Sequence, residues 1–101
     1  MAIIKLLDNV SGTGTFTGDA KSGDGGDKVL TAYGNFGGGT ITVEVSDIND
    51  SNWVPVTLNG SPVSITTPIA LYLRKVAQPQ RIRAKLTGAT SASGVNVVIS
   101  N

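Results

Sequence analysis

Alternation of apolar and polar residues is the clearest pattern in the chain, and it has the two-residue period of β-strands. In the run TITVEVS, at residues 40–46, every second residue is isoleucine or valine. Successive side chains of a strand point to opposite faces, so this run predicts a strand with one buried and one solvated face. The same alternation recurs in RIRAKL, at residues 81–86, and in GVNVVIS, at residues 94–100.

Further strands are predicted where short apolar or β-branched runs lie between clusters of glycine, asparagine, aspartate and serine. These runs are residues 2–7, 11–18, 29–36, 53–58, 61–66 and 67–76. The polar residues 18–28 are expected to form a flexible surface loop, and residues 87–94 (TGATSASG) a turn-rich connector between two strands. About seven to nine strands at this spacing predict an antiparallel β-sandwich, jelly-roll-like or immunoglobulin-like.

The run GGGTITVEVSDINDSNWVPV, at residues 37–56, predicts two adjacent strands joined by a polar turn. Pro55 cannot donate a hydrogen bond to a neighbouring strand, so it is expected at a sheet edge or a bulge. Asp47 and Asp50 fall in the turn, where aspartate and asparagine are favoured because their side chains bond nearby backbone amides. We interpret them as turn residues, with calcium binding as the alternative.

Length and composition agree with a single β-domain over residues 1–101. The chain has 13 glycines but only one methionine, and strong helix formers are scarce. Eight basic and seven acidic residues give a net charge of +1. That balance does not predict a nucleic-acid partner.

Missing residue types exclude several kinds of chemistry. The chain contains no cysteine and no histidine, which removes disulfides, thiolate nucleophiles, histidine-based triads and the commonest zinc ligands. We therefore expect no enzymatic activity, cofactor or metal, although Asp19, Asp24 and Asp27 in the polar loop are a second possible calcium site. Neither a signal peptide nor a membrane segment is predicted, because no apolar run approaches ~20 residues.

Arg81, Arg83 and Lys85 alternate with apolar residues and should share one face of a strand. One interpretation is a solvated outer face that also protects a sheet edge from aggregation. The other is a docking stripe for an acidic protein surface, because arginine pairs well with carboxylates. Nucleic acid is not expected here, because aromatic residues for base stacking are few.

The aromatic residues offer a further alternative. Trp53 is the only tryptophan, and with Tyr33 and Tyr72 it could form a platform that binds carbohydrate. Large aromatic residues belong more often to a core or an interface.

The order GNFGGGTITVEVSDINDSNWVPVTLNG…IALYLRKV…RIRAKLTGATSASGVNVVIS, over about two-thirds of the chain, resembles the small β-sandwich virion proteins of tailed bacteriophages. The resemblance consists of a glycine-initiated strand, an acidic turn, a W-x-P-V strand and a valine-rich last strand. It implies a structural protein that decorates or cements the capsid by binding the major capsid protein or another virion protein. The alternative is a carbohydrate- or receptor-binding module of a tail or head fibre.

The resemblance also implies a homo-oligomer, with a trimer favoured, located in the virion and assembled in the host cytoplasm. Residues 1–10 are then expected to be a first strand or a partner-binding arm. The expected partner interface comprises Ile3, Ile4, Leu6, Leu7, Tyr72, Arg81, Arg83 and Lys85.

Overall fold

The computed structural model describes residues 3–22, 28–46, 52–58, 61–73 and 81–100. The described residues form ten strands and no helix. The strands are β1 (Ile3–Thr17), β2 (Lys21–Ser22), β3 (Lys28–Asn35), β4 (Thr40–Ser46), β5 (Val54–Pro55), β6 (Thr57–Leu58), β7 (Ser61–Pro62), β8 (Ser64–Ile65), β9 (Ile69–Leu73) and β10 (Arg81–Ser100).

The prediction of an antiparallel all-β fold is confirmed, and the sheet curls into a half-barrel. Eight strands form the main sheet, whose central path runs β5-β4-β10-β3-β9, and β6 pairs with β7 in a small second sheet. The expected strand at residues 40–46 is β4, and its neighbour is β5, as predicted. Pro55 lies in β5, which ends the path, so the prediction of an edge position is also confirmed.

The central element is β10, which is 20 residues long. On one edge it pairs with β1 and β2. On its other edge it pairs first with β4, through residues 81–87, and then with β3, through residues 93–100. The prediction of two strands joined by a connector at residues 87–94 is therefore wrong, because this segment continues as one strand.

β10 bends through this segment by three successive bulges. Between Leu86 and Val95 the pairing with β1 moves in three successive steps, and each step takes three residues of β10 but only two residues of β1. Each of these steps contains one residue with a positive φ angle: Gly88 at 69°, Ser91 at 52° and Gly94 at 61°. Each bulge adds an unpaired residue, bends the strand and increases its twist. The glycines and serines that read as turn signals therefore curl the strand without ending it.

The bulges give β10 a local period of three. Leu86, Ala89, Ala92 and Val95 all face the core and are at most 3% exposed. The two alanines lie at the centre of the bend. Their small side chains are well suited to the inside of the curve, where little space is available.

A glycine corner between β3 and β4 matches the bend of β10. The Gly39 amide donates to the Phe36 carbonyl at 3.0 Å, and the Thr90 amide of β10 donates to the Gly37 carbonyl at 2.9 Å. Gly37 has a φ of 62°, and a Cβ atom there would collide with the Thr90 carbonyl oxygen. Both the backbone conformation and the close approach therefore require glycine at this corner.

The inner face of the curled sheet forms one hydrophobic core. Both halves of β10 contribute fully buried side chains, Ile82, Ala84 and Leu86 from the first half and Val95, Val97 and Ile99 from the second. Other strands and the residues that connect them add further members, chiefly Leu6, Leu7, Leu30, Ala32, Phe36, Ile41, Val43, Val63 and Ile65. The predicted inward faces of residues 81–86 and 94–100 are confirmed.

β1 runs for 15 residues where the sequence pattern predicted two separate runs. Lys5 pairs with Val98 and Leu7 with Val97, so Leu6 is the extra residue of a bulge. Because of this bulge, the adjacent Leu6 and Leu7 both enter the core, at 2% and 3% exposure. Their expected role in a partner-binding arm is therefore wrong for the folded chain, and the alternative of a first strand describes them.

Two other predictions, for residues 53–58 and residues 18–28, are corrected by the structure or lie partly outside the described residues. The expected strand at residues 53–58 is two short strands, β5 and β6, and Val54 is 54% exposed instead of core-facing. In the expected loop at residues 18–28, β2 pairs with β10, and residues 23–27 are outside the described ranges.

The glycine corner generates a first prediction. Gly37→Ala introduces both backbone strain and a collision with the Thr90 carbonyl, whereas Gly38→Ala, at a φ of 77° with open space around its Cβ, introduces strain alone. We expect Gly38→Ala to lower the free energy of unfolding by ~1–2 kcal/mol and Gly37→Ala to lower it clearly more. Urea unfolding at equilibrium measures both, and equal losses would contradict the close approach.

The central bulge generates a second prediction. Ser91 is a non-glycine residue at a φ of 52°, so Ser91→Gly should raise the free energy of unfolding by up to ~1 kcal/mol by relieving strain. Ser93→Gly is the matched control, because Ser93 is paired with Asn35 and has no positive φ. Glycine there should cost ~0.5–1 kcal/mol. Changes of the same sign in both variants would argue against a strained bulge at residue 91.

Candidate functional site

The outer side of the curled sheet, called here the convex face, carries the candidate functional residues. Side chains of β10 that alternate with the core residues point to this side. In the first half of β10 they are Arg81, Arg83 and Lys85, called here the cationic patch. In the second half they are Asn96, Val98 and Ser100. Val98 belongs to a group called here the apolar patch, whose members are Ile3, Val29, Tyr33, Ala70, Tyr72 and Val98; Lys5, Thr31, Asn96 and Ser100 lie in the same rows of the register.

Strand register brings the members of the apolar patch together. Ile3 pairs with Ser100, Ser100 with Val29, and Val29 with Tyr72, so one row crosses β1, β10, β3 and β9. Directly opposed side chains on one face of an antiparallel pair lie roughly 4.5–5.5 Å apart at Cβ. Ile3 and Tyr72, which are far apart in the sequence, therefore end the same row.

Three members of the apolar patch are large and well exposed. Tyr72 is 81% exposed, Ile3 is 64% exposed and Tyr33 is 46% exposed. Single exposed apolar residues are ordinary on protein surfaces, but clustered ones mark an interaction surface.

Arg83 is held in place by two neighbours. Its Nε donates to Glu44 Oε1 at 2.9 Å, and both side chains are about one-fifth exposed, at 23% and 20%. Its guanidinium also lies over the Trp53 ring, 4.0 Å from the ring centroid. Since Arg83 pairs with Glu44 in the register of β10 and β4, the ion pair is a cross-strand pair that fastens β4, and Trp53 beside it, to the centre of the sheet.

The other two cations of the patch have different surroundings. Arg81 donates from Nη2 to the Ala20 carbonyl at 3.1 Å, which ties the segment after β1 to β10. Lys85 is half-buried and pairs in register with Thr42 and Thr17. The cationic patch lies on a central strand with neighbours on both edges, so the interpretation that it protects a sheet edge is wrong.

The predicted interface residues thus fall into three groups. Ile3 and Tyr72 lie together in the apolar patch, and the three cations lie on the other half of the convex face. Ile4 is half-buried against the core, and Leu6 and Leu7 are inside it. No arm of four apolar side chains is presented to a partner by the described part of β1.

Sequence reasoning missed the contribution of Val29, Tyr33 and Val98 to the apolar patch. The available signal was Val98, which stands where alternation in GVNVVIS calls for a polar residue. An apolar residue on the face that is expected to be solvated indicates that this face contacts another surface. Its neighbours depend on strand order, which the pattern leaves open.

The predicted aromatic platform is divided between the two halves of the sheet. Trp53 contacts Arg83 in the first half of β10, whereas Tyr33 pairs with Asn96 in the second half. Tyr72 lies in β9, which pairs with β3, so it is on the same half of the sheet as Tyr33. The two tyrosines share a surface, and Trp53 belongs to another.

The possible calcium sites lie mainly outside the described residues. Asp24, Asp27, Asp47 and Asp50 all fall there, and Asp19 is exposed. Within the described ranges no group of three or more acidic, histidine or cysteine side chains is placed to hold a metal. The described ranges also contain no helix of the length and hydropathy needed to cross a membrane.

Comparison of the chain with protein-family models, with curated proteins and with solved structures finds no match. The observations that bear on its function are therefore the two patches of the convex face and the sequence pattern.

The contacts of Arg83 generate a third prediction. Arg83→Ala should lower the free energy of unfolding by ~1–2 kcal/mol, the sum of a partly buried ion pair and a cation–π contact. Arg83→Lys should lose less, because it keeps the charge without the planar group. Urea unfolding followed by the fluorescence of Trp53, the only tryptophan, measures both effects.

Lys85→Ala is the matched control, since it removes a cation from the same face two residues away. Its expected loss is within ~0.5 kcal/mol. If Arg83→Ala and Lys85→Ala were equally mild, the ion pair and the ring contact would have no structural role.

Proposed function

We propose that the protein is a non-enzymatic structural component of a tailed-phage virion that decorates or cements the capsid by binding neighbouring coat subunits. The observation that carries the proposal is the apolar patch, in which Ile3, Tyr33 and Tyr72 are exposed on one face of a rigid sheet. A sheet holds the backbone of these residues in place, so docking has to order their side chains but not the chain that carries them.

Binding through the apolar patch would stabilise the shell modestly for one copy and strongly when many copies are bound. Removing apolar surface from water stabilises a complex by about 25 cal/mol per Å². A lattice repeats the same contact many times, and binding to the assembled form shifts the equilibrium toward it. A small adhesive domain can therefore stabilise a large shell without chemistry.

The cationic patch would contribute to steering and orientation. Lys85 and Arg81 lie on the convex face, in the half of β10 before the bulges, and their partly exposed charges would speed the approach of an acidic surface. Arg83 is committed to Glu44 and Trp53, so we assign it to the support of the sheet.

A carbohydrate-binding module remains the alternative proposal, supported by the two exposed tyrosines on one face. Aromatic rings suit sugar recognition because they present an apolar body with a polar tip. Saturable binding on a glycan array that is lost in Tyr33→Ala would favour this function over adhesion to coat subunits.

The first test of the proposed function is mass spectrometry of purified virions from the phage that encodes the chain, in which the protein should be present. The second is co-sedimentation with empty heads that lack the protein. Ile3→Ser with Tyr33→Ser should weaken binding roughly tenfold or more, because each buried apolar side chain contributes ~1.5–3 kcal/mol. Point substitutions are preferable to removal of residues 2–7, because Leu6 and Leu7 are core residues.

Val54→Ser is the matched control, since Val54 is 54% exposed on β5, away from the apolar patch. It should sediment with heads as the unmodified protein does. Absence of the protein from virions would refute the proposed function, and so would unchanged head binding by the Ile3/Tyr33 variant.

A further inference from the structure

The edges of the main sheet are protected to very different degrees. Exposed edges present unpaired backbone groups, and soluble proteins block them with charges, prolines, bulges or very short strands. β5 has two residues and contains Pro55, and β8 also has two residues. The free edge of β1 carries Lys5 and Asp8, which pair with each other at 3.4 Å, and its register is broken by bulges.

β9 has none of these protective features. Its five residues, Ile69–Leu73 (IALYL), contain no charge and no proline. It pairs with β3 in uninterrupted register from Lys28↔Leu73 to Ala32↔Ile69. On its other edge the described residues provide no paired strand. An uncharged five-residue edge with regular register is a template for the addition of another strand.

Both faces of this edge are also incompletely covered. On the convex face Tyr72 is 81% exposed, and on the inner face Ile69 is 44% exposed. Ile69 and Leu71 line a cleft of about 350 Å³ together with Val63 and Ile65. An added strand would therefore gain backbone hydrogen bonds and cover apolar side chains on both of its faces.

We propose that β9 pairs with β9 of a second copy, antiparallel and centred on Leu71, so that two half-barrels share one continuous sheet. The proposal goes beyond the proposed function and does not depend on binding to coat subunits. It also favours two copies over the trimer that the sequence resemblance implies.

The occupant is assigned to a second copy because the edge is complementary to itself. In a two-fold antiparallel pairing centred on Leu71, Tyr72 of each copy lies opposite Ala70 of the other. A large side chain meets a small one twice, on the face where both are exposed. Leu71 meets its own equivalent on the inner side, and no like charges oppose each other within the five residues.

The area available indicates a weak dimer. An aromatic side chain buries ~150–250 Å², so Tyr72 at 81% exposure supplies roughly 300 Å² from the two copies. With the backbone edges and Ile69 the total stays below about 1,200 Å², the range of weak or transient contacts. Dimerisation should therefore be weak and depend on concentration.

Sedimentation velocity from low to high micromolar concentration tests the dimer. Unmodified protein should shift from monomer to dimer, and Ala70→Lys should raise the dissociation constant at least roughly tenfold, because a long cation replaces the small partner of Tyr72. Ala70 is exposed, so this change should leave the fold intact, as urea unfolding would verify. Thr57→Lys, an equal charge change at an exposed residue of β6, should dimerise normally.

Cysteine pairing tests the register, and the chain has no cysteine of its own. A mixture of Ala70→Cys and Tyr72→Cys proteins should form a disulfide-linked dimer under mild oxidation, because the opposed Cβ atoms lie close enough. Each variant alone should form little disulfide-linked dimer, since its cysteines would be diagonal neighbours roughly 7–8 Å apart.

A monomer at every concentration would overturn the proposal, and so would a trimer. Equal dimerisation of Ala70→Lys and unmodified protein, or crosslinking that is no greater in the mixture than in either variant alone, would also overturn it. Ile69→Lys separates this result from the proposed function, because Ile69 lies on the inner face and outside the apolar patch. A lysine at the edge of β9 should block self-pairing while the heads are still bound.

Discussion

The fold depends on one constraint, which is that β10 must bend sharply in its middle while staying paired along both edges. A 20-residue strand with regular alternation would be too long to enclose a core by itself. Three bulges, each with one positive-φ residue, let β10 turn while β1 follows it on one edge. The corner at Gly37 bends the other edge at the same place, held by the hydrogen bond from Thr90. The two halves of one sheet then face each other across a single core.

The same bend arranges the outer surface. Outward positions of β10 before the bulges carry cations, and those after the bulges are uncharged and include Val98 of the apolar patch. Val98 is on the same strand as the cations but therefore belongs to a different surface, whereas Ile3 and Tyr72, which are far apart in sequence, end one row across four strands. The Arg83 ion pair and ring contact reinforce the half that has only short outer strands.

The small size of the domain makes added contacts valuable to its stability in both proposals. A chain of this length buries a modest fraction of its surface, so its stability is limited and added contacts matter. The apolar patch and the edge of β9 share Ala70 and Tyr72, but the patch extends to Ile3 and Tyr33 on other strands, whereas the edge offers the backbone groups of β9 to a strand. Substitutions outside the shared residues can therefore distinguish adhesion from self-pairing.

The sequence by itself determined the all-β class, the strand at residues 40–46, its pairing with the strand after the acidic run, and the inward faces of both halves of β10. These follow from two-residue alternation, which depends only on local geometry. Only the tertiary structure decided that residues 87–94 bend a strand without interrupting it, because the same glycines and serines suit a turn or a bulge until a neighbour pairs with them. It also decided that Leu6 and Leu7 are both core residues, and that Ile3 lies in one row with Tyr72. Register between distant strands has no local signature, since it is set by how the whole inner face packs.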